Sequence, residues 1–247
     1  MPAKSIDGIL QKLAEIIASA RKDRNRVGYF AAFYSRLIVR VRDGIADGVF
    51  DDGSRVERLS VVLAERYFEA VGLFNQGGRP MRSWEIALRA NRDFWLLVPQ
   101  HILLALNAHI NLDLAVATVA SGPADALPKF RADFERMDRM LSELLEEVLQ
   151  ELRQIWPALG AIDPLIRGPE NSLMRFSLNR AREHAWDLAH ELDGLNAAAR
   201  GPILDRHDSQ ILAIAEAIRN PGLQNVPLMS VRLIERGGVA ETIELLQ

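Results

Sequence analysis

The segment from about Pro99 to Ala120 is the feature that most limits what this chain can fold into. Apolar residues fall on every side of a helix drawn through it, which is typical of a helix buried in a protein core. The segment also carries five polar residues, namely His101, Asn107, His109, Asn111 and Asp113. A lipid-facing span would not tolerate so many polar groups, so the sequence predicts a central core helix and no membrane span.

Helical periodicity continues through nearly all of the remaining chain. The clearest stripe has the 4-3-4-3-4 spacing of a bundle helix and consists of Phe130, Phe134, Met137, Leu141, Leu144 and Val148. We find no internal repeat, no low-complexity segment and no convincing linker. A chain of 247 residues can bury a large core without covalent staples. We therefore predict an all-α, single-domain helical bundle of eight to ten helices around a buried central helix, covering residues 1–247.

Several boundaries of the flanking helices can also be predicted. Ser83 is expected to cap a short helix that carries Trp84, because serine is a favoured N-cap residue. One helix should extend from about Ser172 to Asn196. The Gly201-Pro202 pair is then expected to interrupt the chain before a helix from about Leu204 to Arg219.

Composition excludes several kinds of chemistry. The chain has no cysteine, which removes disulfides, thiolate catalysis and cysteine-ligated zinc or iron–sulfur sites. The formal net charge is −3, and the single basic run, Arg21 to Arg26, contains an acid. We interpret that run as a solvated loop and expect no nucleic-acid binding. The N-terminus lacks the apolar segment of a signal peptide, so we expect a cytoplasmic protein.

The polar residues of the central helix form two pairs on nearly opposite sides. At 100° per residue, Asn107 and Asn111 share one side, whereas His109 and Asp113 share the other. Each buried neutral polar group without a partner costs on the order of 1–3 kcal/mol, and a buried charge costs more. The two polar pairs therefore require bonding partners. The hypotheses on function differ in whether those partners are a metal ion, a ligand or other side chains.

Catalysis is the leading hypothesis. The protein would be a metal-assisted or acid–base enzyme that acts on a small, largely apolar substrate, with His109 as ligand or base and Asp113 as ligand or orienting group. Their spacing suits two ligands of one divalent ion such as zinc or iron, which could activate a water molecule. His101, about two turns away, and His184, on another helix, are weaker candidate ligands.

Two further hypotheses stay open. In a non-catalytic binding module for an apolar small molecule, the binding residues would be Asn107, Asn111, Trp84, Arg182 and Trp186. In a structural or partner-binding protein, His109 and Asp113 would pair with Arg182 or Trp186, and the asparagines would bond nearby backbone breaks. Such a protein could form a homodimer through the amphipathic stretch Ser230 to Leu246, which we expect to be kinked at Gly237-Gly238.

The string Asn107-Ala-His-Ile-Asn-Leu-Asp-Leu resembles the NAHINxDL signature of a bacterial family known as domain of unknown function 5995. The resemblance covers about residues 28 to 195 and extends to Gly48-Val-Phe-Asp-Asp, Leu59 to Ala70 and Arg182-x-x-x-Trp186. It implies an all-helical fold and a shared polar set formed by Asn107, His109, Asn111 and Asp113. It implies no activity, and its pattern does not include His101 or His184.

Overall fold

The computed structural model describes residues 2–123, 127–161, 178–221, 225–234 and 237–247. Within these ranges the chain contains no strand and forms eleven helices, nine of them long, when the continuous helical stretch Val98–Ala120 is counted as one helix. The predicted all-α fold is therefore confirmed. Its organisation as a single domain stays a prediction.

Four helices precede the central helix, namely α1 (Ile6–Asp23), α2 (Val27–Ala46), α3 (Gly53–Asn75) and α4 (Arg82–Ala90). The central helix follows, and consists of α5 (Val98–Ala108), a π-helical turn (His109–Asp113) and α6 (Leu114–Ala120). The remaining helices are α7 (Leu127–Ile155), α8 (Ala158–Ala161), α9 (Leu178–Leu192), α10 (Ala197–Arg219), α11 (Asn225–Ile234) and α12 (Val239–Leu246).

The central helix is enclosed by its neighbours, as predicted. Helices α2, α3, α4, α9 and α10 all pack against it. Within the described part of the chain, Val98–Ala120 is the one helical stretch long and apolar enough to cross a membrane, and 89% of its apolar 18-residue window is buried in the fold. Its apolar character thus belongs to a core helix, which is why its polar residues are buried as well.

The central helix departs from regular α geometry where its polar residues are concentrated. The backbone N–H of Leu114 donates to the carbonyl oxygen of His109, five residues back instead of four. The predicted central helix is confirmed, and its π-helical turn over His109–Asp113 is a feature that the sequence did not predict. Single π-helical turns within α-helices occur frequently at functional sites.

The start of α4 is capped from another helix. The carboxylate of Asp208 on α10 accepts hydrogen bonds from the backbone N–H groups of Arg82 and Ser83, at 3.0 and 3.1 Å. The predicted cap by Ser83 was wrong, because Ser83 lies inside the helix and the Asp208 carboxylate already satisfies those N–H groups.

Helix α10 begins earlier than predicted. Asn196 caps it by accepting the backbone N–H of Ala199 at 3.0 Å, and the helix continues through Pro202. The expected interruption at Gly201-Pro202 was wrong, since a proline in the second turn removes a single helical hydrogen bond. Helix α9 ends at Leu192, before Gly194 with its φ of 69°. Its predicted beginning near Ser172 lies outside the described residues.

The C-terminal stretch is divided into two helices. Helix α11 ends at Ile234, and Gly238 is the N-cap of α12. Gly237 has a φ of 96°, a value that glycine adopts without strain. Gly237 and Gly238 therefore lie between two helices, where the sequence predicted a kink within one stretch.

Candidate functional site

Asp113 holds the central helix to two neighbouring helices. Its Oδ1 accepts a hydrogen bond from Nε of Arg66 on α3 at 2.6 Å, and its Oδ2 accepts one from Nε1 of Trp84 on α4 at 2.7 Å. The Asp113 side chain is 1% exposed. Both oxygens of this buried carboxylate are therefore engaged, as a buried charge requires.

The environment of Asp113 favours its charged form. Burial acts to raise its pKa, but the positive charge of Arg66, followed by the interactions with His109 and Trp84, outweighs burial and holds the pKa below its usual value. Asp113 is thus a carboxylate at neutral pH. The interior beside His109 carries a fixed negative charge.

His109 lies beside this carboxylate without a hydrogen bond. Its Nδ1 is 3.8 Å from Oδ2 of Asp113, which is an electrostatic contact and too long for a hydrogen bond. Neither ring nitrogen has a hydrogen-bond partner among the described residues, although the side chain is 4% exposed. The imidazole is therefore buried with its donor and acceptor both unused.

Aromatic rings surround the imidazole of His109. The centroids of Phe30, Tyr34, Tyr67 and Trp84 lie 5.5, 4.7, 6.3 and 5.9 Å from its own, all in edge-on arrangements. Such geometry is the favourable one for aromatic pairs. The imidazole is therefore packed among four aromatic rings beside Asp113.

Two hydroxyl groups in this aromatic cluster are also unpaired. The hydroxyls of Tyr34 and Tyr67 are buried and have no hydrogen-bond partner in the described part of the chain. Burial raises the pKa of both, and the charge of Asp113 raises that of Tyr34 further, so both stay neutral phenols. Because most buried polar groups in proteins are paired, several unpaired ones in a single cluster indicate a site for a polar ligand group.

A cavity of about 60 Å³ opens beside His109 and Tyr34. Most of its wall is apolar, with contributions from Leu37, Leu63 and Leu106. A water molecule requires roughly 10–15 Å³, so the cavity has room for about four to six groups of that size. It suits a small apolar molecule, or the end of a larger one.

Arg182 closes one side of the same cavity. It forms an ion pair with Asp138 on α7, and its Nη1 lies 3.4 Å from Oγ of Ser142. Burial lowers its pKa to about 10, with Glu183 acting in the opposite direction. Arg182 thus contributes to the wall and is held by α7.

Trp186 packs away from the imidazole. Its ring meets Phe134 at 5.0 Å between centroids, and the guanidinium of Arg131 lies 4.9 Å above it. The predicted pairing of Asp113 with Arg182 or Trp186 was therefore wrong, because these two residues face α7. The partners are Arg66 and Trp84.

A sequence signal for Arg66 existed but was missed. Arg66 follows Leu59 and Leu63 at helical spacing and precedes Ala70, so it interrupts the buried stripe of α3. A charge inside an apolar stripe indicates a buried partner. Tyr34, which belongs to an apolar stripe of α2, gave no comparable signal.

The asparagine pair connects the central helix to α10. Nδ2 of Asn107 donates to the carbonyl oxygen of Ile211 at 3.1 Å, and Nδ2 of Asn111 donates to Oδ1 of Asn107 at 3.1 Å. Gln100 adds a parallel bond to the carbonyl oxygen of Ile218 at 2.8 Å, which the sequence did not predict. The side-chain amides of Asn107 and Gln100 thus bond to backbone carbonyl groups inside α10, and their immediate role is to hold the central helix and α10 in register.

His101 lies apart from this site. It is buried against the ring of Tyr29, with 5.7 Å between centroids, and does not line the cavity. Eight residues of helix separate it from His109, about 12 Å along the axis. Burial, with the charges of Arg26 and Arg232, lowers its pKa to about 3.

His184 belongs to a second cluster, between α9 and α10. Its Nε2 is 2.8 Å from Nδ1 of His207, whose Nε2 is 3.0 Å from Oε2 of Glu191. Burial, followed by His207, lowers the pKa of His184, against smaller influences of Asp187, the backbone of Asn111 and Glu191. The side chain of His207 is 12% exposed.

The four candidate metal ligands do not converge. His109 and Asp113 are adjacent, whereas His101 and His184 make other contacts. No group of three or more His, Asp or Glu side chains arranged to hold a metal is found in the described ranges. Metal binding at His109 and Asp113 stays a prediction.

The comparisons with known proteins identify the family and nothing closer. No curated protein and no solved structure matches the chain well enough to count as a relative. The sequence model of a family of unknown function, DUF5995, matches residues 6–221. Because this match spans most of the 247 residues, the chain belongs to that family.

Proposed function

We propose that the protein is an acid–base enzyme that acts on a small, largely apolar substrate, with His109 as the group that accepts and returns the proton. The observation that carries this proposal is the His109 imidazole, buried beside an ionised carboxylate with both nitrogens unused, on the wall of an apolar cavity. The described residues leave the hydrogen-bonding capacity of this imidazole unused.

Asp113 supports proton transfer electrostatically. A proton on His109 creates an imidazolium 3.8 Å from the carboxylate, and the attraction between opposite charges is strong where little water screens them. The bonds from Arg66 and Trp84 hold the carboxylate in place, so it needs no reorganisation when the imidazolium forms. We assign Asp113 as the positioning and charge-stabilising residue.

The same bonds favour the acid–base form of the proposal over the metal-assisted form. A metal ion bound by Asp113 would compete with Arg66 and Trp84 for its two oxygens. Zinc analysis of untagged protein, with the melting temperature measured with and without a chelator, tests the metal-assisted form. Stoichiometric zinc together with a chelator-dependent loss of stability would establish it.

The experiment for the acid–base form uses deuterium exchange. The protein is incubated in D₂O with small apolar ketones, aldehydes, alkenes and alcohols, and deuterium incorporation and product formation are followed by NMR. We expect exchange or conversion of at least one compound, and a decrease of at least about 100-fold in the His109→Gln variant, as general acid–base groups typically contribute.

A matched control is His190→Gln, because His190 is exposed on α9. This variant should retain the full rate. Exchange that survives His109→Gln unchanged, or the absence of exchange with every compound, contradicts the proposal.

A binding module for an apolar small molecule is the second candidate. It is favoured by the unpaired hydroxyls of Tyr34 and Tyr67, which could orient the polar end of a ligand without any chemistry. Native mass spectrometry of freshly purified protein would then show a bound molecule that is recovered unaltered. Tight binding with no exchange or conversion selects this candidate.

Self-association stays a third prediction. Four exposed apolar side chains lie on or near α11, namely Phe94, Trp95, Met229 and Leu233. A homodimer through this region should dissociate in Leu233→Glu, which sedimentation velocity measures directly. A monomeric wild-type protein at micromolar concentration contradicts this prediction.

A further inference from the structure

Tyr34 places a phenol at the cavity wall next to the imidazole. It extends from α2, is 2% exposed, and has its ring centroid 4.7 Å from that of His109. Phe30 stacks against the ring at 5.6 Å and Tyr67 meets it edge-on at 6.2 Å. The ring is therefore packed between two aromatic neighbours, and Tyr34 is one of the residues that line the cavity.

The Tyr34 hydroxyl is suited to donate a hydrogen bond to a ligand. It has no partner among the described residues, although leaving a buried hydroxyl unpaired is unfavourable. Both oxygens of the neighbouring Asp113 already accept bonds from Arg66 and Trp84. A neutral phenol on a mostly apolar wall, where the charged Arg182 is already paired with Asp138, selects a ligand that brings an acceptor oxygen.

We infer that the substrate of this cavity is a small apolar carbonyl compound, such as a ketone or an aldehyde, whose oxygen accepts a hydrogen bond from the Tyr34 hydroxyl. The inference rests on the proposed function for the choice of site, and it deepens that function by naming the substrate class. Tyr34 and His109 both line the same cavity, which is the geometric basis for assigning them to one substrate.

The reaction that fits this pair is proton transfer at the carbon next to the carbonyl. The C–H bond breaks, its proton goes to a ring nitrogen of His109, and its electron pair moves into the carbonyl group to form an enolate. Tyr34 donates its hydrogen bond to the enolate oxygen, where the negative charge develops. Return of the proton to the same or a different carbon completes exchange or isomerisation, and no oxidant or co-reactant is required.

Two probes of the same shape test the inference. Butanone and 2-methyl-1-butene both have five non-hydrogen atoms and differ only in that a CH₂ group replaces the oxygen. We expect the wild-type protein to bind butanone at least about tenfold more tightly, because an unpaired buried donor penalises the hydrocarbon. The infrared carbonyl stretch of bound butanone should also shift to lower frequency.

Tyr34→Phe is the decisive variant, and Tyr29→Phe is its control on the same helix. Removal of an unpaired hydroxyl should leave the fold intact, which the melting temperature verifies. In Tyr34→Phe the preference for butanone and the infrared shift should both disappear, whereas Tyr29→Phe should retain both.

The outcomes separate this inference from the proposed function. Tyr34-dependent binding of butanone without deuterium exchange supports the inference and contradicts the acid–base function. His109-dependent exchange with a ketone preference that survives Tyr34→Phe contradicts the inference and supports the function. Equal binding of the two probes by the wild-type protein, or binding of neither, overturns the inference.

Discussion

Oδ2 of Asp113 accepts a hydrogen bond from the indole Nε1 of Trp84 at 2.7 Å, inside the core. The two residues are 29 positions apart and belong to the π-helical turn and to α4. The bond fixes the carboxylate on the side that faces His109, whose Nδ1 lies 3.8 Å from the same oxygen. The indole of Trp84 thus helps to set the position of the Asp113 carboxylate relative to the His109 imidazole.

Trp84→Phe should destabilise the protein by about 1–3 kcal/mol, because it leaves one oxygen of a buried carboxylate without its donor. Chemical denaturation at pH 7 measures the loss. Trp95→Phe is the matched control, since Trp95 is 44% exposed, and should stay within about 0.5 kcal/mol of wild type. Equal effects of the two substitutions would show that the indole bond to Asp113 contributes little.

Arg66→Met should make the protein sensitive to acid at a higher pH. Arg66 is the main group that lowers the pKa of Asp113, and a lowered pKa stabilises the folded state above the unfolded value near 3.8. Without Arg66 the folded pKa rises, so this stabilisation is lost at higher pH as the solution is acidified. Denaturation curves between pH 3 and 7 record the shift.

The control for Arg66→Met is Arg40→Met. Arg40 pairs with Glu147 at the surface, where ion pairs contribute about 0–1 kcal/mol. Its acid profile should match that of wild type. If Arg66→Met also leaves the profile unchanged, Asp113 is kept ionised by some other group.

The central helix and its polar pairs were predictable because they depend on local periodicity and on the high cost of burying polar groups. The π-helical turn was not predictable. His109 and Leu114 have φ and ψ values near those of an α-helix, so the pattern of residue types hardly differs between the two forms. Hydrophobic periodicity alone therefore cannot show where the helix contains the additional residue of a π-helical turn.

Contacts between distant helices account for the other differences. Asp208 caps α4 from α10, and Arg66 reaches Asp113 from α3, so each pairing depends on how helices pack. The unpaired hydroxyl of Tyr34 is a property of the cavity and has no counterpart in residue spacing. The sequence therefore indicated which helix carries the site, whereas packing determined what surrounds it.

Asn107→Ala should cost about 1–3 kcal/mol, and Asn111→Ala should cost less. Asn107 donates to Ile211 on another helix and also accepts from Asn111, so its loss removes the bond between the two helices and one of the two bonds of the Asn111 amide nitrogen. Asn111 bonds only within its own helix through this amide. Denaturation of both single variants and the double variant gives their coupling, and additive effects would contradict a shared network.

His101→Phe should flatten the dependence of stability on pH in mildly acidic solution. The pKa of His101 is about 3 when folded, against about 6.5 when unfolded, so between these values the unfolded chain binds one more proton. Stability should then fall by about 1.4 kcal/mol per pH unit through this group as the pH decreases. Phenylalanine keeps the ring packed against Tyr29 and removes the titration. Denaturation midpoints from pH 4 to 6.5 measure the slope.

The control is the exposed His190, whose replacement by phenylalanine should leave the slope at its wild-type value. A slope that is equally steep in His101→Phe would assign the acid sensitivity to another group, of which the half-buried His184 is the first to test.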